Sequence, residues 1–319
     1  MSLKTKYRTP RNLSISSSRE FLTEIEPIFS LAGKKISGVL LDTSQTEKVD
    51  LFGQLLLYKF IEYTIHRSCF NGPMTNLKEN THLKNGLDKT GFLPFVNEFM
   101  NKKNNQLKND IPEDYDLRWK EDGALYIAPI VLSKSNDYED REEVIYQKIK
   151  EYYGGDSTIV GTIMSCISEV GSNFLEHSEE ATNSVLVASG TSDYFELACA
   201  DTGMGTITSL RGLFPGRLQM HEVLRRALDK GVTSKPGTNH TGSGLWLISQ
   251  YVSFTNGDLY LFSEGAFCHQ KKSLFRLGQC GKWKGTIVYL RLPLFHKDVL
   301  AERKRELSSK FNSVQLSLI

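Results

Sequence analysis

Glu169-Val-Gly-Ser-Asn173-Phe-Leu-Glu-His177 carries two patterns at once. Glu169, Asn173 and His177 recur every four residues, so they form one stripe along a helix. Val160, Ile163, Ile167, Val170 and Phe174 form the apolar flank of that helix, for which Asp156-Ser157 is the candidate N-cap. A carboxylate one helical turn from an amide sets a base beside a metal ligand. Alone, the stripe reads as a solvated helix face.

The segments downstream give the stripe a context. Val185–Ser189 and Tyr194–Ala200 read as two strands around a turn at Gly190–Asp193. Asp201-Thr-Gly203-Met-Gly205 comes directly after the second strand. Its glycines permit close backbone approach to a ligand, and an Asp at a strand end can accept a hydrogen bond from an exocyclic amine. Alone, this segment is equally a turn. Met220–Leu228 reads as a helix closed by Lys230-Gly231. Gly242-Ser243-Gly244-Leu245 then opens a helix over Leu245–Val252, stopped at Asn256-Gly257. A Gly-rich turn at a helix N-terminus offers N–H groups and the positive dipole end, suited to phosphate. Leu259–Phe262, Ser273–Leu277 and Thr286–Leu292 read as strands. The order is an α+β layer rather than a βαβ alternation.

Upstream, Glu142–Tyr153 reads as a helix closed by Gly154-Gly155. Ile36–Leu41 has strand length and ends at Asp42-Thr43-Ser44, and Leu51–Ile65 has the spacing of an amphipathic helix. Two breaks separate these segments. Asn71–Asn109 is rich in Asn, Lys and Gly, with a tip at Asn101–Asn105 and one short helix expected at Phe92–Phe99. The acidic run Asp137–Glu143 comes after the apolar stretch Leu125–Leu132. Met1–Arg19 is basic and Ser-rich without an apolar stretch, which reads as a flexible tail and not as a secretory leader.

The 319 residues suffice for two domains. Lys and Arg total 39 against 37 Asp and Glu, a balance that argues against a dedicated nucleic-acid binder. No apolar run reaches the ~18–20 residues of a bilayer span. The five cysteines are odd in number and form no CxxC, so they read as reduced thiols of a cytoplasmic protein. A P-loop, a GxGxxG dinucleotide turn, HExxH and GxSxG are all missing. Cys268-His269 with Cys280 is a poor zinc set.

Glu-x3-Asn on a helix, Asp-x-Gly-x-Gly after a strand, and Gly-x-Gly-Leu before a helix, in this order, resemble the GHKL ATPases, the superfamily of gyrase, histidine kinases and MutL. The resemblance covers about residues 156–295, and Gly285-Thr-Ile-Val288 resembles the closing strand. It implies a Bergerat-fold α/β sandwich, a mixed sheet under helices, that binds ATP with Mg²⁺. It further implies that Glu169 is the general base and Asn173 the Mg²⁺ ligand, with His177 nearby. Asp201 would take the adenine amino group, with Gly203 and Gly205 by the base. Gly242, Ser243, Gly244 and Leu245 would meet the phosphates. Thr206–Thr241 would be the ATP lid, its Lys235, Arg225, Arg226 and Lys230 within reach of phosphate. The Glu-x3-Asn-x3-His pattern looks more like the anti-sigma-factor type of kinase than a sensor histidine kinase, whose phosphoacceptor motif is missing; His66 does not match it.

Val39-Leu-Leu-Asp42-Thr-Ser44, then Val49-Asp50-Leu-Phe-Gly53, resembles a STAS domain of the antagonist type. Such domains carry a phosphorylated Ser where Leu51 and Phe52 stand here, which puts phosphoswitching at that place in doubt. The expected organisation is thus a tail over 1–20, a STAS-like α/β domain with an Asn/Lys-rich insert over 21–140, a GHKL domain over 141–297 and a helix or tail over 298–319. The expected function is a Mg·ATP-dependent switch, hydrolysing or transferring phosphate, that acts on a protein partner. A serine/threonine kinase of the anti-sigma type and a non-catalytic nucleotide-sensing scaffold are the alternatives. GHKL domains often work as dimers, but no dimer seam is legible.

Overall fold

Seven strands, each antiparallel to its neighbours, make the main sheet of the computed structural model. The structure describes residues 6–29, 39–67, 74–76, 80–93, 123–132, 137–177, 184–214, 216, 218–234 and 242–294. In chain order, the N-terminal elements are β1 (Lys6–Arg8), β2 (Asn12–Leu13), α1 (Ser18–Phe29), β3 (Leu40–Asp42), β4 (Lys48–Val49), α2 (Leu51–Arg67), β5 (Met74–Thr75) and α3 (Thr81–Lys89). Next come β6 (Leu125–Leu132), α4 (Asp137–Tyr152), α5 (Ser157–His177), β7 (Ser184–Gly190), β8 (Tyr194–Ala200), α6 (Thr206–Leu210), α7 (Met220–Arg226) and α8 (Gly244–Thr255). The chain closes with β9 (Asp258–Ser263), β10 (Ala266–Lys271), β11 (Leu274–Gln279) and β12 (Thr286–Pro293).

The sheet runs β11-β10-β9-β12-β8-β7-β6, so the α+β class holds while the mixed sheet does not. β10 is an unexpected strand. Its Cys268 and His269 belong to a hairpin ladder, not to a metal set. Burial pushes the Cys268 thiol up to about 12, and His269 Nε2 lies 2.8 Å from Asp258 Oδ1. β6 is an edge strand with a register shift between Ile127 and Ile130, which is where a sheet tolerates a proline such as Pro129.

Alternate residues of the central strands enter two different cores. Leu186, Ala188, Leu197, Cys199, Leu261 and Leu290 pack with α4, α5, α7 and α8. Val185, Val187, Ala198, Ala200, Phe262 and Tyr289 pack with α1 and α2. Both sheet faces are therefore covered, which explains the unbroken apolar runs of the central strands. Asp156 caps α5 as expected, its Oδ1 accepting the N–H groups of Thr158 and Ile159 at 3.1 Å.

Several N-terminal expectations change. Residues 6–20 are not a tail: β1 pairs in parallel with β3, and the fully buried Tyr7 meets Phe60 edge to face at 5.5 Å. The apolar residues there are too sparse for a pattern, and only their tertiary partners reveal them. α2 is not amphipathic, since it is buried on every side from Leu51 to Thr64. Phe52 packs on Phe262 and Tyr289 of the main sheet, at 5.8 and 5.6 Å between ring centroids. Other sides of α2 take Tyr7, against Phe60, and Phe92, against Tyr58. A Cβ on Gly53 would lie 2.2 Å from the Leu13 carbonyl oxygen, so a glycine is what lets α2 approach β2. The sheet reaches back to β6, and the acidic run begins α4, so the main fold starts before residue 141. Within Asn71–Asn109 the described residues hold the helix α3; 94–109, which hold most of the Phe92–Phe99 helix and the 101–105 tip, lie outside the described residues, as do 36–38 and 298–319.

Candidate functional site

A cavity of about 420 Å³ opens between α5, the loop after β8, the start of α8 and the start of β12. Glu169, Asn173, Asp201, Gly242, Ser243, Gly244 and Leu245 all line it. Leu261 and Val288 of the sheet supply apolar lining beneath them.

Asp201 sits where β8 and β12 part, and it is 3% exposed. Its Oδ1 accepts the Gly203 N–H at 2.7 Å and the Thr286 N–H at 3.4 Å. Its own N–H donates to the Thr286 carbonyl at 3.0 Å, and its carbonyl accepts the Trp283 indole N–H at 2.8 Å. Gly285 has φ +96°, and a Cβ there would lie 2.3 Å from Asp201 Oδ1. A glycine thus serves both the turn and the approach. Thr286 Oγ1 accepts the Thr206 N–H at 3.1 Å, which ties the base of α6 to β12.

Gly203 and Gly205 shape this loop without lining the cavity. A Cβ on Gly205 would lie 2.4 Å from Glu264 Oε2. That carboxylate accepts the Thr208 N–H at 2.8 Å and so caps the first turn of α6.

On the opposite wall, Glu169 and Asn173 face the N-terminus of α8. A Cβ on Gly244 would stand 2.2 Å from Glu169 Oε2 and 3.4 Å from Asn173 Nδ2. Asn173 Nδ2 is buried without a hydrogen-bond partner, as are only Tyr153 Oη and Gln270 Oε1 among the other side chains described. Burial, then the neighbouring Cys166 and Glu169, push the Tyr251 hydroxyl up to about 12, so it stays protonated beneath the site. Gly242, at φ +63°, accepts the Gly231 N–H at 3.0 Å.

His177 ends α5, and its side chain lies outside the described residues, as does Lys235. The stretch expected as a lid is largely docked: Val223 and Leu224 of α7 enter the main core. Arg225 lies over Phe275 at 3.9 Å and pairs with Asp229 at 2.7 Å. Arg226 also pairs with Asp229, and Lys230 lies over Trp246 at 5.1 Å. None of these three cations lines the cavity.

Thr206, Thr286, Glu264 and Trp283 are not singled out by the sequence. Gly285-Thr286 stands inside the closing-strand motif and is a usable signal. Glu264 and Trp283 reach the site only through the β9–β10 turn and the 280–285 loop. Among the described residues no group of three His, Cys, Asp or Glu side chains could hold a metal ion, and no helix is long and apolar enough to cross a membrane. No protein-family model matches the chain, and no curated protein matches it.

Proposed function

We propose that the chain is a Mg·ATP-binding regulatory protein of the GHKL type, with the nucleotide state governing a surface offered to a protein partner. One observation carries the reading: three segments far apart in sequence, 169–173, 201 and 242–245, converge on one cavity. That cavity lies within the ~300–1,000 Å³ range of small-molecule sites.

Asp201 serves as the acceptor for the adenine amino group. Its carboxylate is held in place by the N–H groups of Gly203 and Thr286 before any ligand arrives. Gly242, Ser243 and Gly244 bring the N-terminus of the 12-residue α8 to the cavity, where its N–H groups meet the phosphate oxygens. Asn173 fits a Mg²⁺ ligand: a half-turn of its amide exchanges the unpartnered nitrogen for Oδ1, the hard oxygen such an ion takes. Bound Mg²⁺ supplies charge neutralisation at the phosphates. Glu169 orients the attacking water or hydroxyl and takes its proton. The STAS-like reading of the N-terminal unit is supported by the parallel pairing of β1, β3 and β5 beside α2. Leu51 and Phe52, both buried there, carry no hydroxyl, so no phosphoacceptor stands at that place.

Calorimetric titration of the full chain with Mg·ATP tests the reading, together with phosphate-release and ³²P-transfer assays. ATP binding that Asp201→Ala weakens at least tenfold is the expected result. A folded wild-type chain that leaves millimolar ATP unbound sinks it.

A further inference from the structure

Trp283 is fully buried on the sheet face opposite the cavity helices, yet it bonds directly to the site. Its indole N–H donates to the Asp201 carbonyl at 2.8 Å. Opposite Asp201 in the antiparallel register stands Thr286, whose N–H goes to Asp201 Oδ1 and leaves that carbonyl without its ladder donor. The indole takes the place of the missing ladder donor. A buried carbonyl left without it would turn towards another donor and carry the Asp201 peptide with it.

Trp283 is itself gripped from both sides. Its carbonyl accepts the Glu264 N–H at 3.0 Å, and Glu264 caps α6 immediately beyond the Asp-x-Gly-x-Gly loop. Its ring meets Phe29 of α1 at 5.0 Å. Two residues earlier, a Cβ on Gly281 would lie 2.1 Å from the Leu22 carbonyl oxygen, so the 280–285 loop is pressed against α1 with no slack.

We infer that Trp283 is a positioning residue for adenine selectivity: it holds the Asp201 backbone, and so the carboxylate, in the place that accepts the exocyclic amine, and it links α1 to the base end of the cavity. The inference rests on the adenine reading of Asp201. It assigns the base-reading geometry to a side chain from the N-terminal-facing core, with no contact to the ligand.

Trp283→Phe keeps an aromatic ring against Phe29 and deletes the donor. Binding of ATP and of ITP, whose base has a carbonyl in place of the amine, is measured on the full chain and on this variant. The wild type is expected to prefer ATP. In the variant ATP affinity falls about tenfold while ITP affinity stays within twofold, so the preference shrinks by the same factor. The second readout is the Trp283 indole N–H resonance. It is assigned from Trp119→Phe and Trp246→Phe spectra, which leave it as the remaining indole of three and do not depend on the Trp283 variant folding. Saturating ATP should shift it, and ITP should not. A folded Trp283→Phe chain with the wild-type ATP-to-ITP ratio overturns the inference and leaves the adenine reading standing, as does an indole resonance that ATP leaves unmoved. A wild-type chain that binds neither nucleotide, or both equally, removes the adenine reading and this inference together.

Discussion

Helices α5 and α2 lie on opposite faces of the same sheet, and they show what a second layer does to a helix. α5 faces one layer: Ile163, Ile167 and Val170 enter the core, while Glu169 and Asn173 reach a cavity. α2 lies between two layers and has no exposed face from Leu51 to Thr64. Its polar residues serve each other or neighbours inside the fold. Lys59 pairs with Glu62, the Tyr58 hydroxyl donates to Glu62 Oε1 at 3.3 Å, and Thr90 Oγ1 donates to Gln54 Oε1 at 2.9 Å. The polar stripe of α5 is a candidate site, whereas the polar positions of α2 are internal scaffolding.

The sharpest way to break this comparison is at Phe52. If α2 belongs to the core of the main sheet, Phe52→Ala should lower the stability of the whole chain by about 3–5 kcal/mol. Urea denaturation monitored by circular dichroism should show one transition moved to lower denaturant. Two transitions, of which only one moves, would mean that the N-terminal elements fold apart from the sheet.

The α5 side is tested by turnover. Glu169→Gln should bind nucleotide and lose about 10²–10⁴ in rate, whereas Asn173→Ala should weaken Mg·ATP binding itself. Phosphate release and calorimetry on the same preparations distinguish the two. Wild-type turnover in Glu169→Gln removes the base assignment.

A smaller effect comes from Asp50, which caps α2 on the scaffold side. Its Oδ1 accepts the Gly53 N–H at 2.8 Å and its Oδ2 the Ile15 N–H at 3.1 Å. Burial outweighs these bonds and raises its pKa from 3.8 to about 6. Between those values the native state keeps a proton that the unfolded chain has released. Stability should therefore fall as pH rises from about 4 to about 6, by up to about 3 kcal/mol from this group. Asp50→Asn should flatten that slope in denaturation series at pH 4 and pH 6.5, and an unchanged slope would assign it elsewhere.

The least effect is expected at the free edge of the sheet. Leu274 on β11 is 75% exposed, and Leu274→Ser should shift the melting free energy by no more than about 0.5 kcal/mol. A larger loss would show that β11 is covered in solution.

The candidate site is legible where chemistry and local spacing coincide. Glu169 and Asn173 recur at helical spacing, and Asp201 and Gly242–Leu245 sit at element ends marked by glycine. The strand β10 is hidden in the sequence because both of its faces are covered by neighbours, which erases the period-two alternation. β1 is hidden because three residues carry no period at all.

Local sequence determined the α+β class, the cap at Asp156, the helices α5 and α8 and seven of the residues that line the cavity. Each depends on contacts within a few residues, so each leaves a local pattern. Tertiary structure alone decided that the sheet is antiparallel throughout, that the N-terminal helices cover its second face, and that Trp283 and Glu264 brace Asp201 and its loop. The last two features join groups about sixty to two hundred and sixty residues apart, such as Phe29 with Trp283 and Glu264 with Thr208. Residues separated that far share no periodicity, and only burial of both sheet faces brings them together.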